Sequence, residues 1–285
     1  MKTSRPSMRR RQALASGLLW PWFGSVRAAA ELPWELGLLP NVSPRVLLAQ
    51  YQPLRQYLER SLGQEVQMST AASWTTFHER TASSAYQLVV TAAHLARLAQ
   101  VDAGWHPLAI FSPAIKALIA QAKARPLTDI GALRGQTLVL SNPQSLVTMQ
   151  GMRWLSTQGL ERERDFRTIR TPADDSVGAV VVRGEAAAAM LSGGEFRAIP
   201  DAVREQLEVK TVFAEVPGFV VMASPRLSTE ARSAVRAQLL QFGPGVDEAA
   251  AFFKSTGFTS VNDVPAGVLE SLDEFVVPTR QALAG

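Results

Sequence analysis

A run of polar residues follows a short apolar stretch in the middle of the chain. The sequence NPQSLVTMQG, residues 142–151, comes directly after the apolar run TLVLS, residues 137–141. A strand that ends in a polar turn and opens a helix directs several unpaired backbone N–H groups toward one point, and that geometry attracts anions. The same pattern arises where Asn142 or Ser145 simply caps an ordinary helix. These residues alone leave both interpretations open, an anion site and a helix cap.

The side chains that usually carry catalysis or bind metals do not form a recognisable motif. His78, His94 and His106 lack the spacing of a metal site, and the absence of cysteine excludes thiolate ligands, disulfides and a cysteine nucleophile. No nucleotide-binding loop, metalloprotease motif or serine-hydrolase motif occurs in the sequence. Glu161 and Glu163 belong to a charged segment that is typical of a solvated helix end. We therefore expect neither an enzyme nor a bound cofactor.

The excess of positive charge is concentrated near the start of the chain. The 285 residues include 29 basic and 25 acidic side chains, and six of the basic ones lie in residues 1–30, which contain no acidic residue. The remainder has 23 basic against 25 acidic side chains, so it lacks the basic surface that nucleic-acid binding requires. We expect no nucleic-acid partner.

Residues 1–30 have the pattern of an export signal. A basic segment precedes the apolar residues 13–26, and Ala28 and Ala30 fit the small-x-small cleavage rule. The pair Arg10–Arg11 resembles a twin-arginine signal, and Sec export stays open. The apolar stretch is too short to cross a bilayer, and no later segment offers about 18 uninterrupted apolar residues. We predict a periplasmic protein that is cleaved after Ala30 and does not insert directly into the membrane.

Hydrophobic spacing predicts strands and helices in alternation. Apolar residues from Leu47 to Leu62 recur at helical spacing, Gly63 is a natural stop, and Pro53 is expected to kink this helix or to begin its second half. The strand–helix alternation that follows predicts an α/β fold with two lobes, each a mostly parallel sheet flanked by helices. Residues 192–196, SGGEF, are interpreted as a turn.

The chain after residue 30 resembles the phosphate/phosphite/phosphonate-binding protein family of ABC transporters, which has the type II periplasmic binding-protein fold. The resemblance covers nearly all of this part of the chain. It rests on the segments LGLLPNVSPRVLLAQYQPLRQYLERSLG (36–63), YQLVVTAAHLARL (86–98), LTDIGALRGQTLVLSNPQS (127–145), RGEAAAAM (183–190) and VPGFVVMAS (216–224). We expect residues 31–113 with 217–285 in lobe 1 and residues 114–216 in lobe 2.

In that family, the turn after the strand usually reads Asp-Pro-x-Ser-Thr/Ser-Ser-Gly, and its hydroxyl and N–H groups hold the oxyanion. Asn142, Pro143 and Ser145 match this pattern. Leu146 and Val147 replace two hydroxyl positions, and Thr148 stands where glycine would be. The resemblance therefore implies that only part of the anion site is retained.

Other cleft positions are implied by the same resemblance. Trp74 corresponds to a frequent aromatic, Thr91 ends the third strand, and Asp174 stands where the family often has a histidine. Because a carboxylate would repel a phosphonate, these differences favour a neutral, weakly anionic or cationic ligand with Trp74 as a stacking or cation–π wall. Alternatively, Trp74 is a packed aromatic, and Asp174 and Asp175 cap a helix. His94, just past the third strand, is a further candidate at the mouth of the cleft.

The expected function is capture of a small ligand, an oxyanion or another small polar solute, between the lobes. The partner is the membrane permease of an ABC importer or, alternatively, a membrane sensor kinase to which the loaded protein signals. The expected ligand-binding residues are Trp74, Thr91, His94, Asn142, Ser145, Thr148, Asp174 and Asp175.

Overall fold

Two β-sheets form the framework of the structure, a computed structural model that describes residues 32–171 and 176–284. The predicted export signal and the candidate residues Asp174 and Asp175 lie outside the described residues. The strands are β1 (Trp34–Leu38), β2 (Val66–Thr70), β3 (Leu88–Thr91), β4 (His106–Ser112), β5 (Ile115–Ala122), β6 (Thr137–Leu140), β7 (Arg167–Arg170), β8 (Ala188–Ser192), β9 (Leu207–Val216), β10 (Val220–Ala223) and β11 (Ser260–Asn262). The helices are α1 (Pro44–Leu62), α2 (Trp74–Ala82), α3 (Ala93–Ala103), α4 (Leu146–Thr157), α5 (Val177–Arg183), α6 (Gly193–Ala198), α7 (Asp201–Arg204), α8 (Thr229–Gln241), α9 (Asp247–Thr256) and α10 (Asp273–Ala284).

Both sheets mix parallel and antiparallel pairs. The first has the order β11-β4-β10-β3-β1-β2, in which β2, β1 and β3 are parallel and β10, β4 and β11 pair antiparallel to their neighbours. The second has the order β7-β6-β8-β5-β9, in which β7, β6 and β8 are parallel and β5 pairs antiparallel with both β8 and β9. The α/β fold with two helix-flanked sheets is confirmed. Most described strands of each sheet also share one direction, as expected: β10 runs antiparallel between β3 and β4, and β5 runs antiparallel between β8 and β9, so β1–β4 are co-directional in the first sheet and β6–β9 in the second.

The chain passes between the sheets twice, and the two passages lie side by side. The first follows β4, which ends at Ser112, and the second follows β9, which ends at Val216. The backbone N–H of Phe111 donates to the carbonyl of Phe219 over 2.9 Å. The two segments that join the sheets are thus held together by their own backbone.

The apolar core continues from one sheet to the other. One face of the first sheet, including Val90 and Val221, packs with residues of α1, α8 and α9. The other face includes Val89, beside α2 and α3, and it belongs to the same buried cluster as Leu138 and Met190 of the second sheet. Strands buried on both faces read as nearly continuous apolar runs, as β3, β6, β8 and β10 do. The last helix, α10, packs on α2 and α3.

The helix α1 contains Pro53 in its interior, and the expected kink there stays a prediction. Another local prediction is corrected. Residues 192–196 are not a turn, because Ser192 caps α6: its hydroxyl accepts from the N–H of Glu195 at 3.1 Å, and the Glu195 carboxylate accepts from the N–H of Ser192 at 2.5 Å. This reciprocal pair is a capping box, which starts a short helix even after two glycines.

Gly218 lies in the second passage between the sheets, close to the backbone of the first. A Cβ added there would lie 1.9 Å from the carbonyl oxygen of Phe111, a backbone atom that cannot rotate away. We expect Gly218→Ala to lower the free energy of unfolding, measured by urea denaturation, by about 3 kcal/mol. Gly243→Ala is the control, since nothing lies within 4 Å of a Cβ at that position. Equal stability of the two variants would contradict the close approach.

Candidate functional site

Polar residues gather where β1, β3 and β6 end. Because β1 and β3 are parallel neighbours, their carboxyl ends lie at the same edge of the first sheet, and the N–H of Leu39 donates to the carbonyl of Val90 at 3.1 Å. Asn41 follows β1, Thr91 is the last residue of β3, and Ser141 directly follows β6. Open α/β sheets bind their ligands at such carboxyl ends.

The polar turn before α4 holds the start of the helix. The Asn142 side-chain oxygen accepts from the N–H of Gln144 at 2.8 Å, and the Asn142 carbonyl accepts from the hydroxyl of Thr148 at 2.8 Å. The hydroxyl of Ser145 accepts from the N–H of Thr148 at 3.1 Å, as an N-cap does. All three predicted residues lie together, and each has a partner within the turn. The helix cap is therefore observed, and the anion site stays a prediction.

Trp74 begins α2 and is a buried, packed aromatic. Its indole N–H donates to the carbonyl of Pro40 at 3.0 Å, and Ser73 caps the helix with its hydroxyl. The centroid of its ring lies 6.1 Å from that of His94, with 40° between the ring planes. Through these two contacts, Trp74 connects the loop after β1 to the start of α3.

His94 lies in the first turn of α3 and is 1% exposed. Its Nε2 lies 3.1 Å from the backbone carbonyl oxygen of Gln144, which belongs to the turn after β6. Burial lowers the pKa of His94 to about 4, and the bond to the Gln144 carbonyl offsets only part of that effect. Because a carbonyl oxygen only accepts, Nε2 carries the proton of the neutral ring, and Nδ1 presents a bare lone pair.

Gln144 lies in the turn after β6 of the second sheet, and it contacts three helices, α2, α3 and α10. Besides the bond between its carbonyl and His94, its side-chain amide donates to the carbonyl of Ala282 on α10 at 2.9 Å and lies 3.5 Å from the hydroxyl of Thr75 on α2. An ion pair between Arg153 on α4 and Glu274 on α10 adds a second link. Sequence reasoning missed Gln144, whose residue type carries no signal of this role.

Several buried polar atoms at this place have no hydrogen-bond partner. Within residues 32–171 and 176–284, the buried side-chain atoms without a partner are Asn41 Oδ1, Tyr86 Oη, Thr91 Oγ1, His94 Nδ1 and Ser141 Oγ. Four of the five lie within three residues of the carboxyl end of β1, β3 or β6. An unpaired buried polar group costs about 1–3 kcal/mol, so a group of them is expected to serve a ligand or ordered water.

Other features of the described residues lie apart from this cluster. In the two ranges that the structure covers, no group of three or more histidines and carboxylates is arranged to hold a metal ion. No helix in those ranges has the length and apolar character needed to span a bilayer. A surface cavity of about 310 Å³ lies beside Gln100, Arg236 and Asp263, and the strand-end residues do not line it.

Comparison with known proteins identifies the family. The family model described as "ABC transporter, phosphonate, periplasmic substrate-binding protein" matches residues 36–265. The chain belongs to this family. It is accordingly a periplasmic substrate-binding protein of the phosphonate-binding family, and the sequence resemblance is confirmed. A search of curated proteins finds no significant match.

Solved structures share the fold of this phosphonate-family binding protein at low sequence identity. PhnD1 from Prochlorococcus marinus, in complex with methylphosphonate, has a TM-score of 0.76 and 13% identity over 87% of this chain and 98% of that chain. A binding component of an ABC phosphonate transporter from Pseudomonas aeruginosa has a TM-score of 0.74 and 14% identity over 88% and 89%. A histidine kinase sensor domain has a TM-score of 0.56 and 13% identity over 81% and 99%. These likenesses show a common two-lobed fold.

The buried neutral His94 makes the stability of the binding protein depend on pH. The unfolded chain takes up a proton at His94 below about pH 6.5, whereas the folded protein does so only near pH 4. The free energy of unfolding therefore falls as the pH decreases from 6.5 to 4, by up to about 3 kcal/mol, and His94 contributes no pH dependence above that window.

The measurement is urea denaturation at several pH values between 7 and 4.5. Burial also lowers the pKa of His78 and of His106, so these residues act in the same direction. We expect His94→Gln, which does not titrate, to lose less stability over this window than the wild type. His106→Gln is the control at a more exposed position. An unchanged pH dependence in His94→Gln would contradict the burial of a neutral ring.

Proposed function

We propose that this protein captures a small polar solute between its two lobes and delivers it to the membrane permease of an ABC importer. Family membership supports the class of protein. The lobes are proposed to be residues 31–113 with 217–285, and residues 114–216. The paired passages after β4 and β9 then serve as the hinge about which the lobes close. Residues 1–30 are proposed to direct export, with cleavage after Ala30.

The observation that carries this proposal is the group of unpartnered buried atoms at the strand ends. A series of contacts joins the residues that carry these atoms. The indole N–H of Trp74 donates to the carbonyl of Pro40, which precedes Asn41, and the Trp74 ring lies beside that of His94. The His94 ring in turn bonds the carbonyl of Gln144, in the turn that follows Ser141. This arrangement offers hydroxyls from both lobes, Thr91 from one and Ser141 from the other, and ligand sites of this kind hold few, well-placed polar groups.

The proposed site therefore differs in part from the sequence expectation. Thr91 and His94 are retained as ligand-binding residues, and Asn41 and Ser141 are added. Asn142, Ser145 and Thr148 are proposed to fix the turn, because their side chains are used within it. Trp74 is proposed as a packed wall rather than a cation–π platform. Asp174 and Asp175 stay predictions from the resemblance.

The proposal is tested by a thermal-shift screen of the exported protein against phosphate, phosphite, phosphonates, other oxyanions and small amines. A ligand present at about 100 times its dissociation constant adds roughly 2.7 kcal/mol to stability. We expect at least one of these solutes to raise the melting temperature with a concentration dependence that saturates. A screen in which none does so would contradict the proposed function.

Thr91→Val tests the site itself. The Thr91 hydroxyl is buried without a protein partner, so replacing it by a methyl group of the same shape removes no internal hydrogen bond. We expect unchanged or higher stability of the free protein, and affinity for the ligand found in the screen reduced by about five-fold to ten-fold. Isothermal titration calorimetry measures the affinity.

Thr81→Val is the matched control for this substitution. Thr81 is equally buried, but its hydroxyl donates to the carbonyl of Phe77 within α2, away from the strand ends. The Thr81→Val substitution is expected to leave the affinity for the ligand unchanged. Equal affinity of Thr91→Val and the wild type would place the ligand elsewhere.

A second candidate function is ligand sensing, in which the loaded protein signals to a membrane sensor kinase. The likeness to a histidine kinase sensor domain favours keeping this alternative, although its TM-score is lower than those of the transporter proteins. Deletion of the gene distinguishes the two functions. Transport requires that uptake of the radiolabelled ligand is lost, whereas sensing requires that uptake persists while the transcriptional response to the ligand is lost.

A further inference from the structure

Side-chain contacts join the helix α10 to α4 and to the turn before α4, which belong to the second sheet. From the start of α10 to its end, these contacts are an ion pair between Glu274 and Arg153, a hydrogen bond from the Thr279 hydroxyl to the Met149 sulfur at 3.7 Å, and a hydrogen bond from the Gln144 amide to the Ala282 carbonyl at 2.9 Å. The partners on the second sheet follow one another in the opposite order along the chain. The helix α10 therefore reaches across α4 from its second half to the turn that precedes it.

The same helix is held firmly to the helices that flank the first sheet. Phe275, Thr279 and Leu283 form its buried face, and α10 packs on α2 and α3. Further bonds fix both of its ends to these two helices: Asp273 to Arg97 at 2.6 Å, Arg280 to Asp102 at 2.7 Å, and the Leu283 carbonyl to the Thr75 hydroxyl at 3.0 Å. A movement of the second sheet relative to the first therefore leaves α10 with the first sheet.

The contacts of α10 with the second sheet are of a kind that breaks at small cost. The side chains of Arg153 and Glu274 are 60% and 51% exposed, and ion pairs in water contribute little to stability. Gln144 is half-buried, so its amide bonds water once the two sides part. The sulfur of Met149 is a weak acceptor. Detaching α10 from α2 and α3 would instead expose its buried apolar face to water.

We propose that α10 is a strap that belongs to lobe 1 and holds lobe 2 in the closed position, so that its contacts with Gln144, Met149 and Arg153 break before a solute enters or leaves. This inference rests on the proposed function, because it uses the two lobes and the hinge between them. The paired passages after β4 and β9 let the lobes move, and the strap sets how readily they part. Contacts that are individually small suit this task, since a lock of high stability would prevent release of the solute.

Substitutions on lobe 2 weaken the strap and leave α10 attached to lobe 1. Gln144→Met removes the side-chain amide but keeps the backbone carbonyl that bonds His94. Arg153→Gln removes the ion pair with Glu274. Urea denaturation verifies that both strap variants are folded.

The chain offers a matched control for each strap variant. The Gln50 amide donates to the carbonyl of Ser255 at 3.0 Å, and both residues lie in lobe 1, so Gln50→Met removes a similar bond without affecting the contact between the lobes. Arg236 forms a similarly exposed ion pair with Asp263, and this pair also lies within lobe 1. Arg236→Gln is therefore the control for the loss of an ion pair.

The separation of the lobes is measured by pulsed electron paramagnetic resonance without any ligand. The chain contains no cysteine, so Val101→Cys on α3 and Val209→Cys on β9 place one spin label on each lobe, at positions that are exposed. We expect one main distance between the labels in the parent protein and in both controls. In Gln144→Met and in Arg153→Gln, we expect a second population with a different distance, because lobes that lack part of the strap open more often.

Methylphosphonate is the probe for the release of a bound solute. Its dissociation rate is measured by stopped-flow tryptophan fluorescence after dilution of the complex. We expect dissociation to be about five-fold to ten-fold faster from Gln144→Met than from the wild type, which corresponds to the loss of one hydrogen bond, and unchanged from Gln50→Met.

The outcomes distinguish this inference from the proposed function. Distances that are the same in the strap variants and in the parent protein overturn the inference and leave solute capture intact. Equal dissociation rates for Gln144→Met and the wild type overturn the role of α10 in release. If no solute binds in the screen, the proposed function fails, whereas the distances, which require no ligand, still decide whether α10 holds the lobes together.

Discussion

The hydrogen bond from His94 to the carbonyl of Gln144 joins groups that are built on different sheets. It places the first turn of α3 against the turn before α4, and it fixes the ring so that one nitrogen faces the protein and the other lacks a partner. The ring is also buried, and burial lowers its pKa and keeps it neutral near pH 7. One contact therefore sets the approach of the lobes, the tautomer and the character of the site.

Much of the fold follows from local sequence signals, and the exceptions have physical reasons. The helix α4 begins directly after Ser145, one of the two residues that the sequence offers as its cap. The strand β4 is hard to recognise because it contains Pro107, which lies beside an irregularity in the pairing of β4 with β10. The antiparallel pairs form where the chain passes from one sheet to the other. The spacing of apolar residues along the sequence does not show which strands become neighbours after such a passage.

The candidate site is only partly predictable from residue types. Thr91 and His94 stand at the end of a predicted strand, and the structure leaves a polar atom of each unpartnered there. Asn142, Ser145 and Thr148 carry the signal of an anion site, but the same side chains satisfy the backbone of their own turn. Whether such side chains bind an anion or bond the backbone of their own turn depends on neighbours that are distant in sequence. Ser141 illustrates the converse, since nothing in its surroundings along the chain distinguishes it from an ordinary residue at a strand end.

The bond between Gln144 and Ala282 spans 138 positions of sequence. Since the ribosome releases α10 after the turn that carries Gln144, this bond cannot form before residue 282 has been synthesised. A nascent chain that ends before residue 274 lacks both this bond and the ion pair from Arg153 to Glu274, although the two partners of the bond between His94 and Gln144 are already present. The contacts that α10 makes with the second sheet's turn and with α4 are therefore available only to a nearly complete polypeptide.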